Sequence, residues 1–162
     1  MINLVPILAW VAAILAASIA VARGERPLRG AFVADRLVRA VLFFPLGLMS
    51  LWAAFGHIFF PEMSAHAIGW QTSPFQYEVG VANLGIGLSA LYATFRSHEA
   101  QLATGLVAAG FLGGAGVGHI HDILETGNVA PGNAGPILYT DFLTPITILV
   151  LLWFARGYKP AR

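Results

Sequence analysis

Cysteine is absent from this 162-residue sequence. Disulfides, thiolate metal sites and CxxC redox chemistry are therefore excluded. Charge is also scarce: Asp, Glu, Lys and Arg make up 10% of the residues and hydrophobic residues 57%, whereas a soluble globular domain carries about 25% charge. With a mean hydropathy of +0.73, the composition is that of an integral membrane protein. No repeat, linker or second domain is visible, so residues 1–162 read as a single transmembrane domain. The basic residues lie where membrane topology already demands them, which leaves no patch for a nucleic acid.

Five apolar stretches are present, at about residues 3–22, 38–60, 75–95, 100–124 and 141–155. A bilayer core needs about twenty such residues per helix. The expected fold is all-α with five transmembrane helices, the last four forming a four-helix bundle. The first stretch lacks the positively charged start of a signal peptide and reads as a retained helix. Pro61 should stop the second, and Ser73-Pro74-Phe75-Gln76 predicts a capping box opening the third. The Gly-, Pro- and Asn-rich run 127–136 separates the last two. The nine Lys and Arg residues then sort to one side. Arg23, Arg26, Arg29, Arg36 and Arg39 flank the first connection, Arg96 the third, and Arg156, Lys159 and Arg162 the tail. The positive-inside rule places the amino terminus outside and the carboxyl terminus in the cytoplasm, in an inner, cytoplasmic membrane.

The opposite side is short of cations. His57, Glu62, His66, Glu78, His119, His121, Asp122, Glu125 and Asp141 fall there, with Glu25, Asp35 and Glu99 left on the basic side. An ionised side chain at membrane depth costs a few kcal/mol unless it is paired or wet. Helical spacing puts several of these groups at the ends of small-residue rows: His57 above Gly47, Ser50 and Ala54, Glu78 beside Ala82, Gly85 and Ser89, and His121 and Asp122 beyond Gly110, Gly114 and Gly118. Small rows let helices approach closely, so the three rows are expected to face one another. The glycine row is also a candidate face for a homo-oligomer or another membrane partner besides the lipid bilayer.

Imidazoles and carboxylates without thiolates suit a divalent metal such as Zn, Fe, Mn or Cu. His57, Glu78, His119 and Asp141 would bring ligands from four helices, as bundle-core metal sites do. A proton or small polar ligand could balance the same charges, and the plainer alternative is a hydrogen-bonded cluster that locks the helices. Trp52, Phe55 and Trp70 offer the wall of a slot for a flat apolar ligand such as a quinone. Asn83 needs an amide partner, either on the fourth helix or in the loop around Asn133, which could fold back over the cluster.

The phrases Gly56-His57-Ile58-Phe59-Phe60-Pro61, Gly69-Trp70, Ser73-Pro74-Phe75-Gln76-Tyr77-Glu78-Val79-Gly80-Val81-Ala82-Asn83-Leu84, Gly118-His119-Ile120 and Ala130-Pro131-Gly132-Asn133-Ala134-Gly135, followed by Asp141, resemble a family of small bacterial multi-pass membrane proteins of unknown function. The resemblance singles out His57, Gln76, Glu78, Asn83, His119, Asn133 and Asp141 as motif positions and implies a bacterial membrane. A more distant similarity is to DoxX-like proteins, a four-helix membrane unit with members linked to quinone-coupled redox reactions. The expected function is binding of a metal cation or small polar ligand by His57, Glu78, His119 and Asp141, with Asn83 and Asn133 behind them. Its rivals are a quinone-linked oxidoreductase subunit and a non-catalytic accessory or scaffold subunit.

Overall fold

The structure, a computed structural model, is described over residues 4–24 and 26–158. Asn3, Glu25, Lys159 and Arg162 lie outside the described residues. The elements are α1 (Leu4–Ala22), α2 (Gly30–Phe59), α3 (Pro61–Ile68), α4 (Phe75–Ala93), α5 (His98–Thr126), α6 (Pro131–Ala134) and α7 (Pro136–Ala155). The described residues contain no strand.

Four segments are long and apolar enough to cross a membrane: α1, α2, α5, and Pro131–Ala155, which holds α6 and α7. The 19-residue α4 is long enough but carries Gln76, Glu78 and Asn83 in its first half, so it falls short on hydropathy. Helix α2 begins eight residues before the expected 38. Phe32, Asp35, Val38 and Val41 are buried at intervals of three, an amphipathic lead-in hidden from an apolar-run reading by Asp35, Arg36 and Arg39. Helix α7 likewise starts earlier, because Pro136 suits a first helical turn. The stretch between the second and third apolar runs holds α3, opened by Pro61 and ended by Gly69 at φ 84°. The expected capping box does not form: no side chain caps α4, and Gln76 bonds His57 instead.

Residues Leu42–Leu48 of α2 form a π-helical stretch around Pro45. Proline has no N–H and clashes with the carbonyl four residues back, and a widened turn relieves both problems. Beyond it, α2 pairs closely with α4, and α5 pairs with α7. Glycines set both approaches. A Cβ on Gly80 would sit 2.6 Å from Ile58, and one on Gly87 would sit 3.0 Å from the Gly47 carbonyl. Across the other pair, Gly116 lies against the Phe142 ring and Gly105 against Ile148. The first half of α2 packs on α1 and α7. The apolar core of Val38, Leu42, Leu46, Ile86, Ile148 and Leu152 fills the half of the molecule nearer the arginines.

The row Gly110, Gly114 and Gly118 does not serve as an interhelical face within the chain. All three residues are exposed, and a Cβ at any of them would meet nothing within 4 Å.

Candidate ligand-binding site

Away from the arginines the two helix pairs separate around a cavity of about 560 Å³. Helices α5 and α7 contribute its central polar groups, His119 and Asp141, each 7% exposed. Asp141 stands four residues before Pro145. Lacking an N–H, that proline gives nothing to the Asp141 carbonyl, which loosens the helix at this point.

His119 is held from behind. The Asn133 side-chain amide donates to the Asn128 carbonyl at 2.8 Å, which leaves Asn133 Oδ1 to accept from His119 Nδ1 at 2.6 Å. The proton is thereby placed on Nδ1, and Nε2 faces Asp141 Oδ2 at 3.7 Å. That separation is too long for a hydrogen bond. Asp141 makes no side-chain hydrogen bond with any described residue. The hydroxyls of Ser50, on α2, and Thr144, on α7, belong to buried residues lining the cavity and also have no hydrogen-bond partner among the described residues. Trp10 Nε1, from α1, is a sequestered donor without an acceptor and belongs to a residue lining the cavity. His57, half-buried, bonds Gln76 Oε1 through Nδ1 at 2.6 Å and lines the cavity with its ring.

Connecting segments close one end. Asn128 donates to the Ile68 carbonyl at 2.9 Å and to Asp122 at 2.7 Å. Trp70 donates to the same Asp122 oxygen at 2.8 Å and stacks on His119 with ring centres 5.8 Å apart. Gly132 allows α6 to touch α3, since a Cβ there would lie 2.6 Å from the Ala67 carbonyl. Asn128 was not among the residues singled out from sequence. Its signal was legible nonetheless: an Asn directly after Gly127 at a helix end suits an Asx turn, and its Oδ1 accepts from Ala130 N at 3.0 Å.

Trp52, Phe55, Phe60, Phe111 and Leu112 form the apolar walls. Trp52, Phe55 and Phe60 are at the same time 37%, 55% and 45% exposed, so the slot reaches the apolar outer surface sideways.

The structure thus brings together His57, Gln76, Asn83, His119, Asp141, Trp52 and Trp70 around one cavity, with Asn133 directly behind His119. Glu78 is not among them. It is exposed, two residues and about 200° round α4 from the buried Gln76. Among the described residues no three His, Asp or Glu side chains are grouped closely enough to hold a metal ion, so the four-ligand set His57, Glu78, His119 and Asp141 does not assemble. Asn83, 6% exposed, bonds back to the Val79 carbonyl of its own helix at 3.0 Å and reaches neither the α5 helix nor the Asn133 loop. His66, His121, Glu62 and Glu125 are exposed, and Asp122 serves the closing network.

The model of a family of unknown function, DUF6790, matches residues 3–161, and the chain belongs to that family. No curated protein and no solved structure matches it.

Proposed function

We propose that this member of the DUF6790 family is a five-span protein of the bacterial inner membrane that binds a small amphiphile. Its ligand enters from the bilayer through the Trp52–Phe55–Phe60 side and places its polar head at Asp141, His119 and His57. In this reading α4 is the fifth span, with Gln76 and Asn83 buried and Glu78 in its first turn near the outer surface, and α2, α4, α5 and α7 make the four-helix unit. The arginine end faces the cytoplasm, as the positive-inside rule requires.

One observation carries the proposal. Asp141 is a 7%-exposed carboxyl group on the wall of a 560 Å³ cavity, with no hydrogen-bond donor among the described residues. A buried acceptor without a donor costs about 1–3 kcal/mol, and a head group that donates removes that cost. The cavity falls within the roughly 300–1,000 Å³ of small-molecule sites. Flat aromatic walls select a flat body, so a hydroxylated ring of the quinol type matches both ends of the slot. The donor set does not favour a resident metal, because Glu78 is turned away and only His119 and Asp141 approach each other.

The accessory-subunit reading is favoured by one feature, the closed chain His119–Asn133–Asn128–Asp122–Trp70. That chain explains His119 but leaves Asp141, Ser50, Thr144 and Trp10 unused.

Three of the four tryptophans, Trp10, Trp52 and Trp70, line the cavity, so their fluorescence reports occupancy. A short-chain quinol added to the protein in micelles should quench it saturably, and Asp141→Asn should weaken binding at least about tenfold, the loss of one hydrogen bond to a charged group. Quenching that follows micelle partition alone, or an unchanged affinity in the variant, would refute the assignment.

A further inference from the structure

The arginine-bearing end contains a second cleft, of about 590 Å³, where the ends of α4 and α7 and the start of α5 meet the first half of α2. It is separate from the amphiphile cavity, and nothing below depends on that reading. Arg36, Arg39, Arg96 and Arg156 line it, with Asp35 the one carboxylate among the lining residues. Four guanidiniums against one carboxylate leave three positive charges.

Asp35 is already engaged. Arg39 Nε donates to both of its oxygens at 3.0 Å, and Arg39 Nη1 donates to the Thr94 carbonyl at 2.6 Å. Arg36 Nε stands 3.5 Å from Asp35 Oδ2, an ion pair without a hydrogen bond, and Arg36 Nη2 donates to the Tyr158 hydroxyl at 3.3 Å. Its guanidinium is held over the Phe32 ring at 5.1 Å. The other two cations are carried on aromatic faces, Arg96 over Tyr92 at 4.4 Å and Arg156 over Trp153 at 3.6 Å. No carboxylate pairs with either among the described residues.

We infer that this cleft binds a phosphate-bearing anion, held by Arg36, Arg96 and Arg156. A guanidinium presents a planar fork of donors that matches phosphate oxygens in pairs, and the three arginines reach the one cleft from α2, from the turn after α4 and from the end of α7. Arg96 and Arg156 give the strongest reason, because both line the cleft and neither has a carboxylate partner among the described residues. Basic pockets between the ends of membrane helices take phosphate from anionic lipid headgroups, and a soluble phosphate compound presents the same chemistry.

Native mass spectrometry of the full chain in mild detergent tests the inference, with phosphatidylglycerol and phosphatidylcholine added together and inorganic phosphate in a parallel thermal melt. Retention of phosphatidylglycerol over phosphatidylcholine, lost by about tenfold in Arg96→Gln/Arg156→Gln, identifies a lipid headgroup. A phosphate-dependent rise in melting temperature that this variant lacks, with no lipid preference, identifies a soluble phosphate anion. Arg96 and Arg156 are exposed, so the variant is expected to fold, and Arg156→Gln alone gives the same readout at smaller size. Two controls remove charge elsewhere: Arg23→Gln/Arg29→Gln, outside the cleft lining, and Asp141→Asn should both bind as the wild type does. Absence of both lipid preference and phosphate stabilisation, or an equal loss in Arg23→Gln/Arg29→Gln, overturns the site.

Discussion

Asp35 and Asp141 are equally buried, at 6% and 7% exposure, yet their surroundings differ. Asp35 receives the Arg39 Nε–H on both oxygens at 3.0 Å, while Asp141 has an imidazole nitrogen at 3.7 Å and no side-chain hydrogen bond with any described residue. Two carboxylates of one chain, at similar depth, are therefore handled in opposite ways. At Asp35 the fold supplies the counter-ion itself, whereas the buried Asp141 carboxyl has no donor among the described residues and is left to take a proton or a donor from outside the chain. The packing differs in what lines each cleft. Large aliphatic side chains fill the middle of the arginine-bearing half. The cleft at its end is lined by arginines, and the cavity of the other half by aromatic rings with His119 and Asp141.

Stability separates the two most strongly. Asp35→Asn leaves Arg39 part-buried without its counter-ion, a loss on the order of 3 kcal/mol. Asp141→Asn removes no bond that the protein makes, so it should leave the unfolding midpoint nearly unchanged. Melting of both variants in the same detergent checks this. Equal losses would mean that Asp141 is a structural residue, and the contrast would fail.

Glycine supplies a second comparison with a smaller effect. A Cβ on Gly87 would lie 3.0 Å from the Gly47 carbonyl, whereas Gly113 and Gly114 have open space where a Cβ would go. Gly87→Val should cost about 1–3 kcal/mol by overpacking the α2–α4 contact. Gly114→Ala should instead stabilise the isolated chain by up to about 1 kcal/mol, since alanine is the better helix former. Destabilisation by Gly114→Ala, paired with a change in oligomer mass on light scattering, would show that the exposed row contacts a second copy.

These glycines also show where sequence reasoning stopped. The apolar runs located the segments because hydropathy is a property of residues taken one at a time, and the arginines grouped at one end for the same reason. Which face of a helix turns inward is a property of pairs. Helix α4 has two competing rows of small or polar residues, Glu78-Ala82-Gly85-Ser89 and Gln76-Gly80-Asn83-Gly87-Ala90. The second is buried, because it alone places glycines where α2 comes close. In α5 the spacing of Gly110, Gly114 and Gly118 allows close approach without requiring it, and Gly105 and Gly116 make the contacts instead. Choosing the wrong row on α4 moved Glu78 into the expected site and, with it, created a metal centre that the fold does not build. His57, His119 and Asp141 line one cavity, each lying toward the same end of its helix.

The smallest expected effect tests that rotation directly. Gln76 and Glu78 share the first turn of α4, and a reading by charge would rank Glu78 as the more important. Gln76 is 5% exposed and bonds His57 Nδ1 at 2.6 Å, so Gln76→Ala frees the imidazole to change its orientation and tautomer. Quinol affinity should fall severalfold, by the worth of about one hydrogen bond, and the NMR signals of the His57 ring should shift. Glu78 projects from the opposite side of the helix with no partner among the described residues. Glu78→Gln should leave affinity, melting temperature and the His57 signals at their wild-type values. If Glu78→Gln weakened binding as much as Gln76→Ala, the α4 register would be rotated toward the Glu78 row, and the case for a metal held by His57, Glu78, His119 and Asp141 would reopen.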